Sequence, residues 1–241
     1  RLAACQPGAM SRRAWFIAIP VAALVLLVGG PWLYINVIRD GPPPRLSLDD
    51  LEAGDEETSS TTAASDDADG IAGSWVVADG SQAGYRVAEV LFGQDTEAVG
   101  RTESVEGTME IEGTTVVATE VEVDVASITS DEANRDRQFR GRIMSTDQFP
   151  TATFSLTEPI ELDELPAEGE QATYSVTGEL TLRGVTNEVT FDVVARQQGG
   201  RIEVSGSIPV DFDAFEIPDA SGGPAQVGRD GELELLLVFT R

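Results

Sequence analysis

From position 73 onward the chain alternates apolar and polar residues in short runs: Tyr85-Arg86-Val87, Val121-Glu122-Val123-Asp124-Val125, Thr153-Phe154-Ser155-Leu156, Tyr174-Ser175-Val176, Leu180-Thr181-Leu182, Val189-Thr190-Phe191-Asp192-Val193, Ile202-Glu203-Val204 and Leu233-Glu234-Leu235. Each run has one apolar and one polar face, as a half-buried β-strand requires. Turn residues separate them at Gly113, Gly184, Gly199-Gly200 and Asp230-Gly231, the last being a preferred dipeptide of two-residue hairpins. No long amphipathic helix interrupts the series, so the pattern predicts an antiparallel all-β barrel or sandwich. One short helix is expected to open at Thr129-Ser130-Asp131-Glu132, which has capping-box spacing with Thr129 as cap and Glu132 as its reciprocal partner.

Upstream the pattern is different. Residues 14–38 carry no formal charge and as a helix would extend about 37 Å, enough to cross ~30 Å of hydrocarbon. Arg12 and Arg13 precede this segment, and Trp15, Trp32 and Tyr34 stand near its ends. The expected layout is a short cytoplasmic N-terminus (1–13), a transmembrane helix (14–38) and an extracytoplasmic remainder. Met10 reads as the natural start, and Leu2-Ala3-Ala4-Cys5 as a chance likeness to a lipobox. Residues 39–72 begin with Pro42-Pro43-Pro44, and 49–70 then carry nine acids and no base, which predicts an extended, disordered acidic linker. The working domain is 73–241.

Charge narrows the function classes. The formal charge is −26, all 16 cations are Arg, and no Lys or His is present. Such a balance argues against a nucleic-acid partner. The single cysteine, Cys5, lies upstream of the domain, which removes an intrachain disulfide and thiolate metal sites and, with the absence of His, Cys-His and Ser-His-Asp catalysis. Among the 32 acids of the domain no spacing singles out a catalytic pair, and the acids at 211–219 lack the pattern of a calcium loop. No metal and no enzyme activity are expected. One feature runs against the acidic background: Arg135, Arg137, Arg140 and Arg142 fall within eight residues. The C-terminal pole of the short helix accounts for part of that cluster, since cations are stabilised there.

Gly73-Ser74-Trp75, Gly84-Tyr85-Arg86-Val87, Val125-Ala126-Ser127-Ile128 followed by Arg135-Asp136, Phe149-Pro150-Thr151-Ala152-Thr153-Phe154, and Gly178 to Thr186 occur in an order that resembles the YceI-like polyisoprenoid-binding family, in its membrane-anchored actinobacterial form. The resemblance implies a closed, lipocalin-like eight-stranded antiparallel barrel with a short helix beside it, whose lumen holds a long isoprenoid chain. It makes Arg135-Asp136 a signature pair. Gln82-Ala83 stands where many members have a His-Ser pair, so no head-holding histidine carries over.

The dry face of the strands supplies the candidate lumen: Tyr85, Val87, Met109, Val121, Val123, Phe154, Tyr174, Phe191 and Val193. Arg135, Arg137 and Arg140 are head-group candidates, with helix-end stabilisation and pairing to Asp131, Glu132 or Asp136 as the competing role. The expected partner is an isoprenoid-like lipid, with no cofactor besides it. The alternative is an envelope interaction module with a solidly packed barrel and an unknown protein partner.

Overall fold

A computed structural model describes residues 41–54, 70–162, 167–223 and 225–241. A short helix α1 (Asp49–Gly54) is followed by thirteen strands: β1 (Gly73–Val77), β2 (Gln82–Leu91), β3 (Gln94–Thr102), β4 (Val105–Glu112), β5 (Thr115–Asp124), β6 (Thr129–Ser130), β7 (Thr151–Leu156), β8 (Ile160–Glu161), β9 (Gln171–Leu182), β10 (Val185–Gln198), β11 (Arg201–Asp211), β12 (Ala225–Val227) and β13 (Asp230–Thr240). Between β6 and β7 lie helix α2 (Ala133–Gln138) and a π-helical turn, Phe139–Ile143.

The order β1-β4-β5-β7-β9-β10-β11-β13 returns on itself, because Val76 and Val77 of β1 pair with Thr240 and Phe239 of β13. Eight antiparallel strands therefore close a barrel. β13 is long enough to serve two neighbours on that side. Beyond β1, its residues Glu232–Leu236 pair with β2, which pairs with β3, and β3 with β6. At the changeover the Val238 N–H donates to the buried Ser81 Oγ at 2.9 Å, so the break leaves no orphaned donor there.

The eight alternating runs lie in strands, apart from Val125, which opens a 3₁₀ turn after β5, and 174–176 and 180–182 fall within the single long β9. Three hairpins turn at Phe92-Gly93, Arg183-Gly184 and Gly199-Gly200, with positive φ at both central residues of each. That conformation matches the twist of the flanking strands. Asp230-Gly231 is not such a turn. It opens β13, with Asp230 opposite Asp211, and the Phe212 ring lies 3.2 Å from where a Cβ at 231 would stand. Glycine is used there for close packing, not for a bend.

The capping box is also overturned. Thr129 and Ser130 are held as β6 against Arg101 and Gly100, and α2 begins only at Ala133, without a side-chain cap from its N-cap residue Glu132. Asp136 reaches back instead, accepting from Ser130 N (2.9 Å) and Ser130 Oγ (2.6 Å).

The span expected over 14–38 and residues 1–13 lie outside the described residues, and among the described residues no helix is long and apolar enough to cross a membrane. Part of the expected linker is ordered. Residues 43–51 lie as a strap on the outer wall, where Leu48 is buried and its carbonyl accepts from Arg196 at 2.9 Å.

Candidate functional site

The interior has two sealed ends. One buried cluster joins Val125, Ile128, Phe139 and Met144 to Leu180, Leu182, Phe191, Val193, Ile208, Val210 and Phe215. The Tyr85 ring stacks on Phe139 with centroids 4.8 Å apart, and burial pushes its phenol up to about 12. The other cluster gathers Ile71, Trp75, Met109, Ile111, Val116, Leu237 and Phe239, and Trp75 donates its indole N–H to the Ile71 carbonyl at 2.9 Å. Arg241 lies over the Trp75 ring at 4.6 Å.

Between these ends the side chains are not sealed. Leu156, Ile160, Tyr174, Val204 and Leu235 pack against both clusters, yet each is only half-buried, as are Val121, Val123 and Phe154. In a filled barrel the waist would be its driest part. Half-buried apolar side chains there leave the waist less completely covered than the two clusters.

The sequence-derived lumen set maps onto this interior. Tyr85, Phe154, Tyr174, Phe191 and Val193 belong to or pack on the first cluster, and Met109, Val121, Val123 and Tyr174 on the second. Val87 is buried but joins neither. Phe154 faces Leu180 on β9 and fits because Gly178, two residues along, has no side chain: a Cβ there would stand 2.4 Å from the ring. Phe154 then meets Phe191 edge-on at 5.5 Å.

The ladders of the wall are incomplete in places: among the described residues Val185–Asp192 of β10 have a strand partner in β9 alone, because β11 joins β10 only at Val193–Gln198, and another gap lies between β8 and β9. β7 pairs with Gly178–Thr181 of β9, and Thr157 N reaches the Thr177 carbonyl at 3.1 Å. Beyond that point β8 pairs only with β5, so among the described residues Gln171–Val176 have a strand partner in β10 alone. A cavity of about 420 Å³ occupies the gap, lined by Pro159, Ile160, Glu161 and Ala172 to Ser175. No alternation of residue types signals such a missing ladder.

The arginine cluster serves the fold. Arg135 pairs with the buried Glu89 at 3.1 Å and also with Asp131. Arg140 donates to the Ile128 carbonyl (3.1 Å), Arg142 to the carbonyls of Asp219, Ala220 and Ser221, and exposed Arg137 to Asn134 Oδ1 (3.1 Å). Except for the Arg137 bond, which stays within α2, these bonds tie α2 and the π-helical turn to β2, to Ile128 and to the loop before β12. Asp131 and Asn134 are local partners, and a pairing to Asp131 was already open from the sequence; Glu89, Ile128 and residues 219–221 are distant in the chain, and nothing local points to them. Among the described residues no group of three His, Cys, Asp or Glu side chains is placed to hold a metal ion.

A family model for the YceI-like domain matches residues 75–239. The chain belongs to the YceI-like domain family. A UPF0312 protein of Pseudomonas paraeruginosa is 33% identical over 124 residues, covering 48% of this chain and 58% of that protein. One of Photorhabdus laumondii is 35% identical over 80 residues, covering 33% and 38%. The chain thus spans little more than half the length of the curated relatives it matches, at most. A solved polyisoprenoid binding domain of Saccharophagus degradans, implicated in plant cell wall breakdown, superposes with a TM-score of 0.55 at 14% identity, over 69% of this chain and 97% of that one. At that identity the likeness speaks for the fold.

This YceI-like domain also carries buried charge on its outer wall, beneath the strap. Arg86 is bound by Glu234 (2.6 Å) and Glu97 (2.5 Å) and donates to the Pro43 carbonyl at 2.8 Å. Arg101 bridges Glu234 and the Pro44 carbonyl, while Arg196 bridges Glu203 and the Leu48 carbonyl. Arg45 of the strap pairs with Glu232, whose carboxyl it holds below its ordinary 4.5. A lowered folded-state value means stability that is present above pH 4.5 and lost as pH falls through the folded value. Amide hydrogen exchange of residues 45–51 should therefore quicken below pH 4.5 relative to the barrel, and less so in Glu232→Gln, whose clasp is already weakened at neutral pH. Unchanged protection across that range would show that the pair does not hold the strap.

Proposed function

We propose that this protein binds and carries a long apolar, polyisoprenoid-like lipid in its barrel interior without catalysis, tethered by residues 14–38 at the outer face of the cytoplasmic membrane with its N-terminus inside. The observation that carries this reading is the half-buried apolar waist between two sealed ends. The name of the Saccharophagus domain, a polyisoprenoid binding domain of the same fold, supports it. Tyr85, Val87, Met109, Val121, Val123, Phe154, Tyr174, Phe191 and Val193 supply the lining in this reading. Arg135 and Arg140 hold α2 and the π-helical turn in place instead of gripping a head group, Arg137 bonds within α2, and the protein needs no cofactor besides the lipid.

A lipid arriving from a bilayer leaves one oily medium for another, so the ~0.8 kcal/mol per buried CH₂ of water-to-oil transfer largely cancels. Selectivity must then come from lumen length and from the polar head. Mass spectrometry of organic extracts from the purified full-length protein is expected to reveal a co-purified isoprenoid lipid at near-stoichiometric amount. A lipid-free extract, together with no uptake from isoprenoid-loaded vesicles, would favour a packed module that binds a protein partner.

A further inference from the structure

Both ends of the barrel are blocked by large side chains: Trp75 and Phe239 at one, Phe139 and Phe215 at the other. A ligand in the waist therefore needs another way through the wall. The missing ladder between β8 and β9 provides one, because Ile160 and Tyr174, which line the cavity there, also pack against both interior clusters. The same two side chains thus border the outside and the inside of the wall.

We infer that the opening between β8 and β9, lined by Ile160, Glu161, Ala172, Thr173 and Tyr174, is the lateral portal through which the lipid tail passes, and that the lipid's uncharged polar head rests there. The inference rests on the lumen reading above. An uncharged head fits because, among the described residues, the cavity's only charged lining group is the Glu161 carboxylate, which accepts from Thr115 Oγ1 at 2.8 Å and would repel a phosphate. Hydroxyl or carbonyl heads find partners instead in the Tyr174 phenol and the backbone edge of Gln171–Val176 that no described strand occupies. Backbone groups at an open edge bond readily to whatever lies against them. Because the portal is in the side wall, a tail can slide through without dismantling either end cluster, so passage does not require loss of Trp75 or Phe139 packing.

The test uses the full chain with Cys5→Ser, which removes the only native thiol. Thr173→Cys places a thiol on the exposed face of β9 at the rim of the opening, and Glu188→Cys places one on the exposed face of β10 away from it. Each is modified with a bulky maleimide, and uptake of a fluorescently tagged geranylgeraniol from neutral vesicles is followed in time, then release into acceptor vesicles. The expected result is that the label at 173 slows both uptake and release several-fold while final occupancy is unchanged, and the label at 188 alters neither. Equal rates for both labelled proteins would overturn the portal while leaving the lumen reading intact. A fall in final occupancy with unaltered rates would also overturn it, since the label would then be disturbing the bound state and not the passage. If the unmodified protein takes up no tagged lipid at all, the lumen reading and the portal fail together.

Discussion

Replacing Glu203 with Ala lowers the stability of the barrel by about 3–5 kcal/mol, the cost of removing one partner from a buried ion pair. Glu203 and Arg196 face each other at 2.6 Å with side chains 1% and 3% exposed. Without the carboxylate, Arg196 loses a buried counter-charge that it cannot dispense with by neutralising, since guanidinium does not deprotonate in proteins. The strap goes with it, because Arg196 also grips the Leu48 carbonyl at 2.9 Å. Urea unfolding should show the midpoint falling. The double variant Arg196→Met with Glu203→Leu should recover most of the loss, as apolar replacements of buried pairs often do. Glu232→Ala, at a pair 38–56% exposed, should cost no more than ~1 kcal/mol. A loss for Glu203→Ala as small as that would mean water reaches the pair beneath the strap.

Val121→Trp should abolish lipid occupancy while leaving the fold nearly as stable as before. Val121 packs against the second cluster from the waist, half-buried, and lies opposite Gly107 on β4 and Phe154 on β7. An indole added to a filled core forces neighbours off their rotamers at about 1–3 kcal/mol, whereas one added to vacant space buries apolar surface and offsets its own strain. The two measurements therefore have to be made together: thermal unfolding and lipid extraction on the same preparation. Lost occupancy with little change in stability marks Val121 as lining open room. Retained lipid, or a loss of several kcal/mol with no lipid in either protein, would mean that the waist is packed solid.

The strand content was legible because a wall with one wet and one dry face imposes a period of two on every residue it uses, from Val121 to Val125 and from Val189 to Val193. The inward side chains followed from the same period, and eight of the nine proposed lining residues join the interior clusters. Local turn chemistry was less dependable. Asp230-Gly231 has the composition of a hairpin, but Phe212 needs the room and the chain returns to β13 from a loop instead. Thr129 and Ser130 have the composition of a helix cap, but β3 offers them a ladder, and Asp136 satisfies Ser130 from within α2. In both places a tertiary partner outbid a local preference. The strap was hidden for another reason: Leu48 and the carbonyls of Pro43 and Pro44 are few among many acids, and their arginine partners are distant in the chain. The opening beside β9 is a missing contact, and a missing contact leaves no mark on composition.

The strap gives the molecule a mechanical property. A pull on the chain upstream of Pro43 is not borne by a swivelling leash; it enters the wall through guanidinium clasps from β2, β3 and β10, spread along residues 43–48. Tension is shared among three strands before any one of them can be peeled from its neighbour, so the domain should yield at its clasps, in steps, well ahead of rupture of the barrel.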